Sequence, residues 1–417
     1  MLIESDVAVL RELATKYAEI ASLPIHDEKR KMWMDLNTLH MQRPMVMMDQ
    51  LPWSELAALD PTLKCVVQDP YWRGVEDSLR KSLYQWRHFP VDRVYEKYIL
   101  LPRPIPYEVW NGTGWGGIEV KRTGEERYAD IGAEISSSAY ANQITCLEDI
   151  EKIEDPVIKL DTEKEAKIIE EAHFLFDGIV EFRMRGVSMH LGIWDTVSMW
   201  MGVENCYIAM YDDPELLHAL MNRLTEGMIR TAERLNAIRG IDIYSNICHC
   251  SHTYLPDMPK EGDLGLTGNA WACGLAQLFT SVSPSLMDEF EVTYMKRLFP
   301  YFGAINYGCC DRLDDRMDVI RKLPKIRKLS CSPWSDREHF AETMPDYCVM
   351  VNKPNPSFLA EKSYDEENTR QDIRRTIAAA KAYDRNLEFI QKDVSTVLKD
   401  PSRLDRWAAI AMEEVCR

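Results

Sequence analysis

The sequence predicts an α/β protein, a (β/α)8 TIM barrel with an N-terminal helical extension and a β-hairpin insertion. Three observations lead there. From about residue 163 onward, short apolar runs alternate with amphipathic stretches of helical period, the pattern of strands made parallel by helical crossovers. About eight such runs are available, the number with which this barrel closes. Polar and sulfur-rich motifs follow directly behind the runs, at the strand ends where barrels build their sites.

Residues 1–90 read as the helical extension packed on the barrel, and 91–417 as the barrel, with the hairpin insertion at about 110–145. Ser5 can cap a helix through Ser22 that Pro24 ends, and a second amphipathic stretch covers 27–39. The run Met45-Val-Met-Met48, bounded by Pro44 and Pro52, is a short buried strand, and 94–101 is another. Segment 110–144 is rich in Gly and Thr with alternating patches, which suggests the hairpin. A helix over 163–176 leads to a strand at 179–184. Asp213 then caps a long helix that Pro214 opens and Gly240 closes, and a strand at 241–247 follows. Ser283-Pro284 starts a helix to about residue 301. Strands at 304–309, 326–331, 347–351 and 387–390 then alternate with helices at 314–323, 336–343 and 366–383, before a closing helix from 403.

Composition removes several function classes. With 50 Lys+Arg against 67 Asp+Glu the formal net charge is −17. Clustered cations of the kind that neutralise phosphates are missing, so neither nucleic acid nor an anionic membrane surface is an expected partner. The N-terminus carries Glu4, Asp6 and Glu12 where a secretory signal is basic and then apolar. The charge-free run 264–287 holds Gly265, Asn269, Gln277 and Pro284, too polar for a membrane span and better read as buried chain lining something. Eleven cysteines, an odd number, point to reduced thiols and a cytoplasmic protein.

Gly112-Thr-Gly-Trp-Gly-Gly117 matches the dinucleotide fingerprint in letters, but a strand-like run follows where a helix N-terminus is needed, so it reads as a glycine-rich turn. Cys248-His-Cys-Ser-His252 is the densest cluster of soft ligands; thiolate and imidazole can hold zinc, whereas core packing explains it more simply, since free Cys is commonly buried and structural sites usually show two clearly spaced ligand pairs. Tyr307-Gly-Cys-Cys310 ends a strand. Because side chains alternate in extended chain, Cys309 is expected to face the site with Tyr307, and Cys310 to lie elsewhere. Gly308 lets the backbone approach a ligand. Lys353 directly follows apolar strand residues, so an anion, a carboxylate or the rim must receive its charge. Asp393 is a similar strand-end candidate.

The order Trp194-Asp-Thr, Asp212-Asp-Pro-Glu215, Gln277, Val282-Ser-Pro284, Glu289-Phe290, Tyr307-Gly-Cys-Cys310, Arg327-Lys-Leu-Ser330 and Ser332-Pro-Trp334 resembles the uroporphyrinogen decarboxylase superfamily. Within it, the chain is most similar to the branch of cobamide-dependent methyltransferases. The resemblance covers roughly the C-terminal 60% of the sequence and implies a (β/α)8 barrel. It comes with departures. The arginines that read porphyrinogen carboxylates after the first strand are missing from Met47-Met-Asp-Gln-Leu-Pro-Trp53, which argues against that substrate. The zinc-dependent branch uses a His-x-Cys where this chain has Tyr307-Gly-Cys309, and a later cysteine near Lys353 that is absent here. A zinc ion would therefore need Cys309 with His249, His252 or a carboxylate.

The resemblance implies a subunit that moves a methyl group between a small substrate, such as a methoxylated aromatic, and a cobamide. No D-x-H-x-x-G signature occurs, so the corrinoid is expected on a separate protein; a homodimer is compatible with the same picture. Tyr307, Cys309 and His249 are the expected catalytic residues, and Gln277, Trp334, Lys353 and Arg327 the substrate-binding ones. Two alternatives remain: a decarboxylase of a small acid anchored by Lys353 or Arg327, and a non-catalytic barrel subunit.

Overall fold

The structure, a computed structural model, describes residues 2–107, 114–123 and 138–417. Its strands in chain order are β1 (Met45–Met48), β2 (Tyr98–Pro102), β3 (Arg122–Thr123), β4 (Ala139–Tyr140), β5 (Glu181–Arg185), β6 (Ile247–Cys248), β7 (Ser251–His252), β8 (Trp271–Gly274), β9 (Ala304–Tyr307), β10 (Ile326–Cys331), β11 (Val349–Asn352) and β12 (Leu387–Gln391). Six of them form one curled parallel sheet in the order β1-β12-β11-β10-β9-β8. Residue alternation sorts its faces. Met45, Met47, Val349, Val351 and Ile390 turn inward onto Trp33 and Tyr254. Val46, Met48, Leu329, Met350 and Phe389 turn outward onto the helices.

The helices between strands follow their end signals. Helix Pro214–Ala237 has Pro at its start and the Asp213 carboxylate accepting from the Leu216 amide, a cap worth about 1 kcal/mol. Asp336 and Asp365 cap Arg337–Thr343 and Glu366–Ala382 in the same way. The expected helix from 283 to 301 is helical throughout, but its middle, Asp288–Val292, widens to π geometry. Ser5 lies inside the first helix, Glu4–Ala21, and does not cap it.

The barrel is not closed. β2 and β5 pair with each other as a separate parallel couple. Beyond β5 the chain touches the sheet through a single bridge, His190 to Cys273 on β8, while Val187 bridges Ile241 outside the sheet. The strand expected at 241–247 does not form. Asp242 accepts hydrogen bonds from the amides of Tyr244 and Ser245, and this side-chain turn diverts the backbone before a ladder can propagate. The chain enters the antiparallel hairpin of β6 and β7 instead. β1 belongs to the main sheet, so the sheet begins within the first 90 residues. In the expected insertion, β3 and β4 pair antiparallel. Gly112 and Thr113 of the glycine-rich motif lie outside the described residues; behind Gly117 no helix starts. No helix among the described residues is long and apolar enough to cross a membrane.

The β6–β7 hairpin sits inside the curl of the sheet and is fixed there by charge. The Lys328 ammonium, fully buried on β10, donates to Glu388 Oε2 of β12 at 2.8 Å, to Ser251 Oγ at 2.5 Å and to the His252 carbonyl at 3.0 Å. Ser251 also donates to Glu388 at 2.9 Å, and Asn37 donates to the carbonyls of His252 and Tyr254. Removing one partner leaves a buried charge unpaired. Lys328→Met is therefore expected to cost about 3–5 kcal/mol, read as a lower urea midpoint, and adding Glu388→Leu to it should recover part of the loss.

Candidate active site

The C-terminal ends of the parallel strands and the tip of the hairpin meet in one place, although no single segment builds it. The hairpin turn is His249-Cys250, with φ of 50° and 67°, the left-handed pair that a two-residue turn requires. Neither residue is glycine, Asn246 beside them is also left-handed, and so is Asp393 at the end of β12. Such backbone persists only where its surroundings over-determine it, which is common at functional sites. Beside the turn lies a cavity of about 300 Å³, lined by His190, Cys248, His249, Cys250, Cys273 and the Trp271 ring. That is the size of a small-ligand cleft. A more open cleft of about 700 Å³ beside Arg103, Glu165 and His173 borders it at Ile243 but holds none of these six residues.

The polar centre of the site is Lys392, directly behind β12. Its Nζ is 3.1 Å from His249 Nε2, 3.1 Å from Cys309 Sγ and 3.3 Å from Asp393 Oδ2. Burial works against this charge, but the thiols of Cys309 and Cys250 and the Asp393 carboxylate outweigh it and raise the lysine's pKa. Cys309 responds in kind. The hydrogen bond from the Cys310 thiol, and then the Lys392 charge, pull its thiol down to about 7 against burial. Desolvation, followed by the Lys392 charge, holds His249 well below the ordinary imidazole value and His190 at about 4. Both rings are thus neutral near pH 7. Because Nε2 of His249 accepts from the ammonium, its proton is on Nδ1, which is buried without a hydrogen-bond partner among the described residues.

Cys309 enters this site by an unexpected route. Tyr307 follows the strand alternation outward, where its hydroxyl donates to Glu291 Oε1 at 3.2 Å and its ring packs edge-on to Phe299. It does not face the lumen with Cys309. Gly308, at φ 89°, breaks the extended chain, and a Cβ there would meet Leu313 Cδ1 at 2.7 Å. With alternation broken, both sulfurs of Cys309 and Cys310 converge at 3.6 Å, and Cys310 reaches Asp393 Oδ2 at 3.5 Å. The expectation that Cys310 lies elsewhere assumed extended backbone, which Gly308 removes.

The other expected residues divide. Lys353 is buried in the same lumen, and among the described residues its Nζ has no hydrogen-bond partner. Burial, then the Lys392 charge, lower its pKa. His252 stands apart: Nδ1 bonds the Asn246 carbonyl and Nε2 accepts from the Val94 amide, both at 3.0 Å, so the hairpin engages both nitrogens. Gln277 is exposed, Trp334 is 64% exposed, and Arg327 is exposed near the start of β10, one residue before the buried Lys328. Sequence reasoning missed Lys392 and His190. The only signal for Lys392 was a lysine directly behind an apolar strand, the same signal that singled out Lys353.

Of the residues expected around a zinc ion, Cys309, His249 and a carboxylate, Asp393, meet here, and His252 does not join them. Tyr307 points away, His252 is engaged by backbone, and the Lys392 ammonium lies between His249 and Cys309, where a shared ion would sit.

No protein-family profile matches the sequence, and no curated protein matches it either. Among solved structures, the chain is similar to a methyltransferase from Methanosarcina mazei, with a TM-score of 0.51 and 10% identity over 93% of this chain and 98% of that one. The likeness is one of fold: a methyltransferase-like architecture across nearly the whole chain.

The thiol arrangement predicts a pH dependence. Alkylation of Cys309 by iodoacetamide, followed peptide by peptide in a mass spectrometer, should rise with a midpoint near pH 7. In Cys310→Ala, which removes the hydrogen bond to the thiolate, the midpoint should move upward by about one unit or more.

Proposed function

We propose that this protein is a methyltransferase subunit moving a methyl group between a small substrate and a cobamide carried by a separate protein. The observation that carries this reading is the ammonium, thiol and imidazole cluster beside a small cavity. The fold it shares with a methyltransferase supports the reaction class. A Co(I) corrinoid would supply the nucleophile for the methyl carbon. The chain's own residues then have two tasks. The cavity holds the methyl donor against Trp271 and Met189, and the His249 Nδ1–H is available to orient its heteroatom. The heteroatom that loses its methyl group gains charge and needs a proton. Lys392 is the charged donor at hand, with Cys309 as its thiolate partner.

One observation favours a second reading, decarboxylation of a small acid. The buried Lys353 ammonium, without a hydrogen-bond partner among the described residues, would anchor a carboxylate in the same lumen.

A single assay separates the two. Purified protein is incubated with cob(I)alamin and a panel of methoxy-aromatic, methylamine and methylthiol donors, while methylcobalamin formation and carbon dioxide are both followed. Methylcobalamin is expected with at least one donor class, and Lys392→Met should lower its rate by about 10²–10⁴-fold. Carbon dioxide release from a small acid without corrinoid, with no methylation across the panel, would transfer the assignment to decarboxylation.

A further inference from the structure

The surroundings of Lys392 resemble a metal centre more closely than an ordinary ion pair. Cys309 Sγ, Cys310 Sγ and an Asp393 oxygen lie within 4.8 Å of one another. His249 Nε2 faces the same point from the hairpin, 3.1 Å from Lys392 Nζ. The 3.6 Å between the two sulfurs is close to the roughly 3.8 Å chord of two thiolates bound at 2.3 Å to one tetrahedral ion. Two sulfurs and a carboxylate are three of the four ligands that a thiophilic divalent cation takes, and the His249 imidazole, which lies outside that group, would have to close in to complete the set.

The middle of that set is already filled. An ammonium has three N–H groups, and Lys392 finds three acceptors within 3.3 Å: His249 Nε2, Cys309 Sγ and Asp393 Oδ2. Three of the four ligand atoms of the set are therefore directed at nitrogen. The lysine side chain is 4% exposed and leaves from the end of β12, so it has no solvent position nearby into which to swing. A dication and an ammonium cannot share this centre at such distances, because their repulsion is weakly screened away from water.

We propose that the ammonium of Lys392 is the resident cation among Cys309, Cys310, Asp393 and His249, and that these four side chains close into a tetrahedral set for a thiophilic divalent ion only when the ammonium is removed. The inference does not depend on the reaction proposed above. In the native protein the ammonium contributes one positive charge and three protons that can be shared with a bound ligand, where a metal would contribute charge alone. When a metal replaces it, the thiol protons still held by the two cysteines are released to solvent as the metal–sulfur bonds form.

The test uses cobalt(II), whose thiolate charge-transfer and tetrahedral ligand-field bands report its surroundings. Native protein, Lys392→Met, Lys392→Gln and the double variant Lys392→Met/Cys309→Ser are titrated at neutral pH, with bound metal counted after gel filtration and far-UV circular dichroism confirming the fold. Native protein is expected to show no thiolate–cobalt band. Both single lysine variants should bind about one equivalent with that band and with proton release, and the double variant should lose it. Stoichiometric cobalt bound through thiolate by the native protein overturns the proposal, whatever the variants do. Folded Lys392→Met or Lys392→Gln that binds no cobalt overturns it equally.

Discussion

The buried pair of Lys328 and Glu388 is the constraint on which the rest of the molecule depends. A sheet curled this way encloses space that side chains or inserted chain must fill. Here a hairpin occupies it, and one ammonium ties that hairpin to two strands at once through Glu388, Ser251 and the His252 carbonyl. The arrangement has a cost, because two charges leave water for the interior. What it secures is position. With Ser251 and His252 anchored, the turn two residues earlier is set against the end of β12, and His249 meets Lys392 there.

Charge is distributed through the interior in a consistent way. At one level Lys328 is neutralised by Glu388; at the level of the site Lys392 is balanced by Cys309 and Asp393. Lys353 has no partner of this kind among the described residues. Carboxyl groups farther from the lysines go the other way. Burial, with the Cys309 charge adding to it, raises Asp195 to about 7, and burial raises Glu291, bonded to Tyr307 on the outer face, well above the carboxylate range.

Much of the scaffold was legible because it follows local rules. Asp213-Pro214 opens its helix, and the apolar runs at 45–48, 326–331 and 387–390 become strands within a residue or so. The regular period of a parallel sheet is written in the sequence and does not depend on distant contacts. The site was legible only in part. Cys309, His249 and Lys353 could be singled out because soft or charged residues behind apolar runs are unusual. Two kinds of information were not local. Whether a strand completes or turns aside depended on the Asp242 carboxylate capturing two amides. Which way Cys309 and Cys310 point depended on one left-handed glycine that defeats alternation. The meeting of Lys392 with His249 joins segments 143 residues apart, and no periodicity encodes it.

That glycine has a consequence for how the site can change over generations. The closeness of the two sulfurs is a property of the backbone at Gly308, not of the cysteines themselves. A lineage can therefore keep both thiols and lose their partnership through a substitution that touches no reactive atom, since any side chain there meets Leu313 and resists the left-handed conformation. Conversely, a relative with an extended residue at this position would hold one thiol inward and one outward from identical letters. The chemistry of the pair is thus inherited through the one residue between Tyr307 and Cys309 that has no chemistry of its own.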